Sequence, residues 1–158
     1  MARSLSLPHK LRRLAQIDGR RRLRLIEAAL WLMLARLLLT VVPFSRLARL
    51  LGTFVPPDDR HVAETRSCAG HEHTAIAGEI GWAVTRAARH LPLRAVCLPQ
   101  AMAARMMLRC RVVPSVMHFG VTKRLGEPLD AHAWLEAAGV EVTGYPVPDG
   151  FVEIACFV

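Results

Sequence analysis

The apolar residues of this chain change period once, after Arg111, and that change constrains the fold more than any other feature. Before it, apolar positions recur at steps of three and four over long runs, the mark of helices; after it, short runs alternate residue by residue, the mark of half-buried strands. Helices followed by strands predict an α+β fold, with amino-terminal helices ahead of a small antiparallel sheet. At 158 residues the chain is long enough for one domain with a real core, and 53% apolar against 22% charged residues argues against disorder. The pattern divides it into a basic arm, residues 1–19, and a single domain, residues 20–158.

Residues 20–40 read as a helix, with Ile26, Leu30, Met33, Leu34, Leu37 and Val41 forming an apolar face that Trp31, Leu32 and Leu38 widen. Such breadth predicts a helix covered on most sides. Pro43 ends it, and SRLARLLG adds a short helix closed by Gly52. The punctuated, polar stretch 53–74 reads as a connector. A helix follows from about Ala75 to His90, with Ile76, Ile80, Val84 and Ala87 on one face. A third runs from Cys97 to Arg109, where Pro99 is tolerated in the first turn and Arg105 and Arg109 are expected to face outward. VVPSVMHFGV then predicts a strand whose Pro114 suggests an edge position or an irregular start. AHAWLEA alternates, with His132, Trp134 and Glu136 on one face, and pairs through a tight Ala138-Gly139 turn with VEVTGY. In that hairpin His132 falls opposite Gly144 or Tyr145 and Glu136 opposite Glu141. FVEIACFV supplies the last strand.

A net charge of +8 and a pI near 10.6 raise the question of nucleic acid or membrane. The excess lies mostly before residue 25, and it lacks the interleaved aromatics or recognisable module of a nucleic-acid binder, so no nucleic-acid partner is expected. The most membrane-like stretch, 25–44, is interrupted by Glu27 and Arg36, and a buried or surface-seeking helix is the expectation instead of a span. Cysteines 68, 97, 110 and 156 are widely spaced without a CxxC pair, which together with no convincing secretory signal predicts a reduced, cytoplasmic protein. Cys68, His71 and His73 are soft ligands close together, but their spacing is not a usual zinc pattern and no metal is expected. No GxxxxGK[ST] loop announces ATP.

Two reactive side chains stand at the ends of predicted elements. Cys97 opens a helix, where backbone N–H groups stabilise a thiolate and Arg94 adds to the field. His132 stands near the start of a strand, with Trp134 placed to shield it from water. A thiol and an imidazole from separate elements are what a cysteine hydrolase brings together. Asp149 from the last turn, Asp130 beside the strand, Glu141, Glu136, a backbone carbonyl or a water are the alternatives for a group that orients the imidazole. The Cys97 N–H, with Gln100 or His118, is the expected oxyanion donor set. Cys110 and Cys156 read as packing residues.

CLPQAMAARMMLR, the V-P-S-x-x-x-x-G-V strand, DAHAWLEAAGVEVTGY and the closing phenylalanine-containing strand resemble the lasso peptide biosynthesis B2 proteins, the transglutaminase-like leader peptidases of lasso peptide maturation. RRRLRLIEAALWLMLARLLLTVVPFSRLARLLG and IGWAVTRAARHLPLRAVC extend the resemblance over residues 20–158. It implies a papain-like or transglutaminase-like core with Cys97 as nucleophile and His132 as general base, removing the leader from a ribosomally made precursor through a thioester. It also implies work beside an asparagine-synthetase-like cyclase that closes the macrolactam, and in some members a requirement for ATP. The family's acid, about twelve residues after the histidine, lands on Gly144 here. Some members carry a winged-helix-like leader-binding module, for which there is no room before the first long helix, so leader recognition is expected from a separate protein or from this domain itself. Acyl transfer to an amine, or a non-catalytic subunit that binds or presents the peptide, are the alternatives to peptidase action.

Overall fold

The change of period after Arg111 is the seam between the two layers of the structure. A computed structural model describes residues 18–67, 70–91, 96–123 and 128–158. Residues 1–17 of the basic arm, Cys68, Arg94 and loop residues 124–127 lie outside the described residues. Among the described residues five helices, α1 (Gly19–Val41), α2 (Phe44–Leu51), α3 (Arg60–Ser67), α4 (His71–His90) and α5 (Cys97–Arg109), accompany five strands. The strands are β1 (Phe54–Val55), β2 (Val116–Thr122), β3 (Asp130–Ala137), β4 (Val140–Thr143) and β5 (Val152–Phe157). They form one antiparallel sheet in the order β1-β5-β2-β3-β4. The fold is α+β, with helices leading and a small sheet following.

Helix α5 is the centre of the helical layer. Ala101 to Arg105, Met107 and Leu108 are all buried, and α5 packs against α1, α4 and β3. Small residues set how closely these elements approach. Ala28 and Ala35 of α1, Ala77 and Ala83 of α4, and Ala101, Ala103 and Ala104 of α5 join one core with Leu32, Ile80, Met107 and Leu135. At Gly81 a Cβ would stand 2.7 Å from the Val142 carbonyl oxygen, so α4 lies with its backbone against β4. The first rungs of the predicted hairpin form as read, with Ala137 paired to Val140 and Glu136 to Glu141 around the Ala138-Gly139 turn, but a bulge then shifts the register so that Leu135 faces Thr143, and β4 ends at Thr143 instead of Tyr145.

Several expectations are corrected. On α1 the face that turns inward is Ala28, Leu32 and Ala35, while Ile26, Leu30, Met33, Leu34, Leu37 and Val41 are exposed. A helix apolar nearly all round does not choose its inward side by periodicity; the small side chains, which permit close helix approach, choose it. The connector 53–74 is not structureless. It holds β1, which Thr53 and Val158 tie to the end of β5 by reciprocal N–H to carbonyl bonds, and α3, whose Val62 packs with Val55, Val116 and Cys156 on the far face of the sheet. One buried residue in eight leaves α3 with almost no periodic signal. Helix α4 begins at His71, four residues before the expected start. Pro114 marks an irregular start and not an edge: β2 lies between β3 and β5, and the proline precedes its ladder, where no strand N–H is required.

The largest departure is Arg105, expected outside and found 3% exposed. Its Nη1 donates to the carbonyl oxygens of Ser115 at 2.8 Å and Phe157 at 3.0 Å. Burial, with Arg109 adding a like charge, lowers its pKa to about 10. Arg109 does reach the surface, donating to the Leu50 carbonyl at 2.7 Å. Arg105→Ala leaves buried carbonyls without donors and is expected to lower the unfolding free energy by roughly 2–4 kcal/mol, against less than about 1 kcal/mol for Arg109→Ala. Urea unfolding of the two variants measures the difference; equal effects contradict the buried-clamp account.

Candidate active site

The core that buries α5 also fixes where its first turn stands. Cys97 is the first residue of the helix, after Val96 as N-cap, and it is a half-buried free thiol. Pro99 is buried in that turn, and Gln100 sits one residue further on, its N–H directed at the Val96 carbonyl. His132 is the third residue of β3 and half-buried. Two cavities meet at these residues, since Cys97 and His132 line both. The larger, about 850 Å³, is also bounded by Trp82, Arg86, Arg89, Gln100, Glu141 and Tyr145. The smaller, about 540 Å³, is bounded by Val96, Thr122, Pro128, Asp130, Pro148 and Phe151.

The imidazole is held by backbone. His132 Nε2 donates to the Gly144 carbonyl oxygen at 2.6 Å. A carbonyl only accepts, so this bond places the proton on Nε2 and leaves Nδ1 with the lone pair a base requires. Trp134 stacks against the ring at 5.9 Å between centroids and Phe151 tilts against it at 5.5 Å. Gly144 is the residue on which the acid of the resembling family would fall. Its φ of +83° and the 2.5 Å that would separate a Cβ from the Ala133 carbonyl oxygen exclude any side chain there. The backbone contribution at this position therefore depends on the absence of the carboxylate expected there.

The remaining sequence candidates separate. Asp130 borders the smaller cavity, and its Oδ1 accepts the Ala131 N–H at 2.9 Å. Asp149 is exposed in the turn before β5 and lines neither cavity. Glu136 and Glu141 pair across the hairpin, Glu141 at the larger cavity and Glu136 on the far face of the sheet, bonded to Arg66 of α3. Burial works to raise the Glu136 pKa, but hydrogen bonds from His118 and Arg66 outweigh it and hold the carboxyl below its ordinary value of 4.5. His118 is fully buried, with Nδ1 2.5 Å from Glu153 Oε1 and its ring stacked on Trp134. It does not open onto either cavity, which leaves the Cys97 N–H and Gln100 at the cleft.

His118, Glu153 and Cys156 bring three donor atoms within 4.8 Å of one another, a separation a cation can bridge. Cys156 donates to Glu153 at 2.9 Å, and burial followed by that carboxylate pushes its thiol above the ordinary range. Of the other suggested ligands, His71 and His73 stand in the first turn of α4 and Cys68 lies outside the described residues.

Sequence reasoning passed over the α4 side of the cleft. Trp82, Arg86 and Arg89 recur at steps of four and three opposite the buried Ile80, Val84 and Ala87, a polar stripe that can be read as ordinary solvated surface. The guanidinium of Arg86 lies 5.9 Å from the Trp82 ring centroid. Tyr145 also lines the cleft, and burial, with Glu136 and Glu141 nearby, raises its pKa above its ordinary 10.0.

A sequence profile described as the transglutaminase-like superfamily matches residues 38–156, from the last turns of α1 to β5. The chain belongs to the transglutaminase-like superfamily. This transglutaminase-like core is the one associated with lasso peptide biosynthesis B2-type proteins, as the sequence motifs around Cys97 and His132 imply. No curated protein and no solved structure matches the chain. Within the superfamily core, Gly144 gives a direct test of the site's construction. Gly144→Asp restores the carboxylate type expected of the family but is expected to destabilise the protein by at least about 2 kcal/mol, because the side chain meets the β3 backbone in a left-handed conformation. Thermal unfolding beside the wild type checks this; an unchanged midpoint shows that the position has room for an acid.

Proposed function

We propose that this transglutaminase-like chain is a cysteine peptidase that removes the leader from a ribosomally made lasso peptide precursor. The observation that carries the reading is the juxtaposition of Cys97, at the amino terminus of a buried helix, and His132, in its defined tautomer, on the shared wall of two clefts. In this reading His132 Nδ1 takes the Cys97 proton as the sulfur attacks the amide carbon between leader and core. The developing oxyanion is met by the Cys97 N–H and Gln100 at the positive end of α5. The C–N bond breaks as the imidazolium gives its proton to the leaving amine of the core peptide, and the leader remains as a thioester on Cys97. Water, deprotonated by His132, then hydrolyses the thioester to the leader carboxylate and restores the thiol. Two clefts suit a peptide that extends on both sides of the cut bond. The partners are the precursor, a separate leader-recognition protein and the asparagine-synthetase-like cyclase, in a reducing cytoplasmic setting.

Acyl transfer, with an amine in place of water at the second step, uses the same residues and agrees with the superfamily's character. One observation favours the third reading, a peptide-binding subunit without chemistry: the His132 ring is hydrogen-bonded to a carbonyl and not to a carboxylate that would balance an imidazolium. Mass spectrometry of the cognate precursor, incubated with this chain and its leader-recognition protein, separates the three. The peptidase reading predicts cleavage at one bond with water-derived termini, reduced at least about 1000-fold by Cys97→Ala and about 100-fold or more by His132→Ala. An amine adduct at the new terminus selects transfer. Processing that survives Cys97→Ala selects the binding subunit and rejects both enzymatic readings.

A further inference from the structure

Helix α1 is apolar on two faces, and its own domain uses one. Leu23, Ile26, Leu30, Met33 and Leu37 follow one another at alternating steps of three and four, the spacing of a helix-pairing seam, and Leu34 and Val41 widen it. These seven residues are between 40% and 71% exposed, although Ala28, Leu32 and Ala35 on the other side are buried. Together they present roughly 600–700 Å² of surface along about 27 Å of one helix, more than the largest apolar patch of a typical monomer. Most of the stripe precedes residue 38, where the match to the superfamily core begins.

We propose that the exposed face of α1 pairs antiparallel with the same face of a second copy of this chain. The area fits: a two-fold contact uses the patch twice and buries roughly 1,200–1,400 Å², within the range of stable specific interfaces. The charges select the orientation. Arg20, Arg21, Arg22 and Arg24 crowd the amino-terminal end of α1, where the helix dipole is already positive, and the last turn carries no basic residue. A parallel pair sets the two arginine clusters side by side. An antiparallel pair sets each cluster beside the uncompensated carboxyl-terminal end of the other helix. In the register that puts Leu30 against the partner's Met33 and Ile26 against the partner's Leu37, Arg36 faces the partner's Ala29 and Glu27 the partner's Leu34, so no like charges meet along the seam. Glu27 is already occupied by Arg111, in two bonds of 2.9 and 2.6 Å.

A bilayer is the competing occupant, and the charge placement disfavours it. Between Leu25 and Val41 the only charged residues are Glu27 and Arg36, whereas a helix lying on anionic lipid carries basic residues along its length. No helix among the described residues is long and apolar enough to cross a membrane.

Sedimentation velocity on the full chain tests the pairing. The expected mass is twice 17.5 kDa at micromolar concentration, and Leu30→Glu with Leu37→Glu weakens dimerisation at least about a hundredfold with an unchanged circular dichroism spectrum. If that double variant does not fold, Met33→Lys alone serves. For orientation, Leu30→Cys is expected to cross-link between copies on mild oxidation beyond the wild-type level and Leu23→Cys is not, since the antiparallel register holds the two copies of position 23 about 25 Å apart. A single-chain mass up to about 100 µM, a dimer indifferent to these substitutions, or preferential cross-linking at position 23 overturns the proposal. So does a single-chain protein that floats with phosphatidylcholine–phosphatidylglycerol vesicles and loses that binding in the variant.

Discussion

One guanidinium ties the two layers of this protein together. Arg105 is buried in the middle of α5, and its bonds reach the carbonyl of Ser115, just ahead of β2, and that of Phe157, at the end of β5. A charge so deep is costly to place, and its depressed pKa reflects that burial. What it secures is position. The helix that begins at Cys97 is tied to the central strand and its neighbour, so the thiol stands at a set height beside the sheet that carries His132. Gly52 belongs to the same arrangement, because a Cβ there would lie 2.7 Å from Arg105 Nη2 and 2.3 Å from the Val158 carbonyl oxygen.

The second constraint lies at the other end of the site. A cysteine hydrolase needs its imidazole held in one tautomer, and a carboxylate is one way to hold it. Here the chain places glycine where the family's acid is expected and turns the backbone so that its carbonyl accepts the Nε2 proton. A neutral acceptor fixes the ring without adding a negative charge. That arrangement suits a thiol nucleophile, which ionises far more readily than a serine hydroxyl and asks less of its base. On the far face of the sheet a separate network of Arg66, Glu136, His118, Glu153 and Cys156 anchors α3 and occupies the fully buried His118. Trp134 stacks with both His118 and His132, so the wall of the candidate cleft and this anchor share one ring.

How much of this was legible followed from how each residue earns its place. Helix α5 has the same limits in sequence and structure, because Leu91-Pro92 precedes it, Pro99 fits its first turn and the period breaks after Arg109. The first rungs of the β3–β4 hairpin could be registered to the residue, since a two-residue turn sets Ala137 opposite Val140 and Glu136 opposite Glu141. The bulge that follows, which brings Leu135 opposite Thr143, and the turn of the Gly144 carbonyl toward the His132 ring were not legible, because both depend on what packs around the strand. Arg105 was misplaced because its partners are backbone carbonyls, which every residue has and no pattern reveals. The inward face of α1 was misjudged because large side chains dominate a hydrophobic pattern while Ala28 and Ala35 decide how helices approach. Helix α3 and β1 were invisible because each buries a single residue, Val62 and Val55.

The account rests on Cys97 becoming acylated by the peptide it acts upon, and hydroxylamine tests that directly, since it intercepts a thioester but not a water-attacked amide. Precursor, leader-recognition protein and this chain are mixed with and without hydroxylamine and the new carboxyl terminus is weighed by mass spectrometry. The predicted result is a hydroxamate on the released leader, formed in proportion to the nucleophile added and absent with Cys97→Ala. A leader that carries only a free carboxylate at every hydroxylamine concentration, or a hydroxamate that still forms with Cys97→Ala, contradicts it.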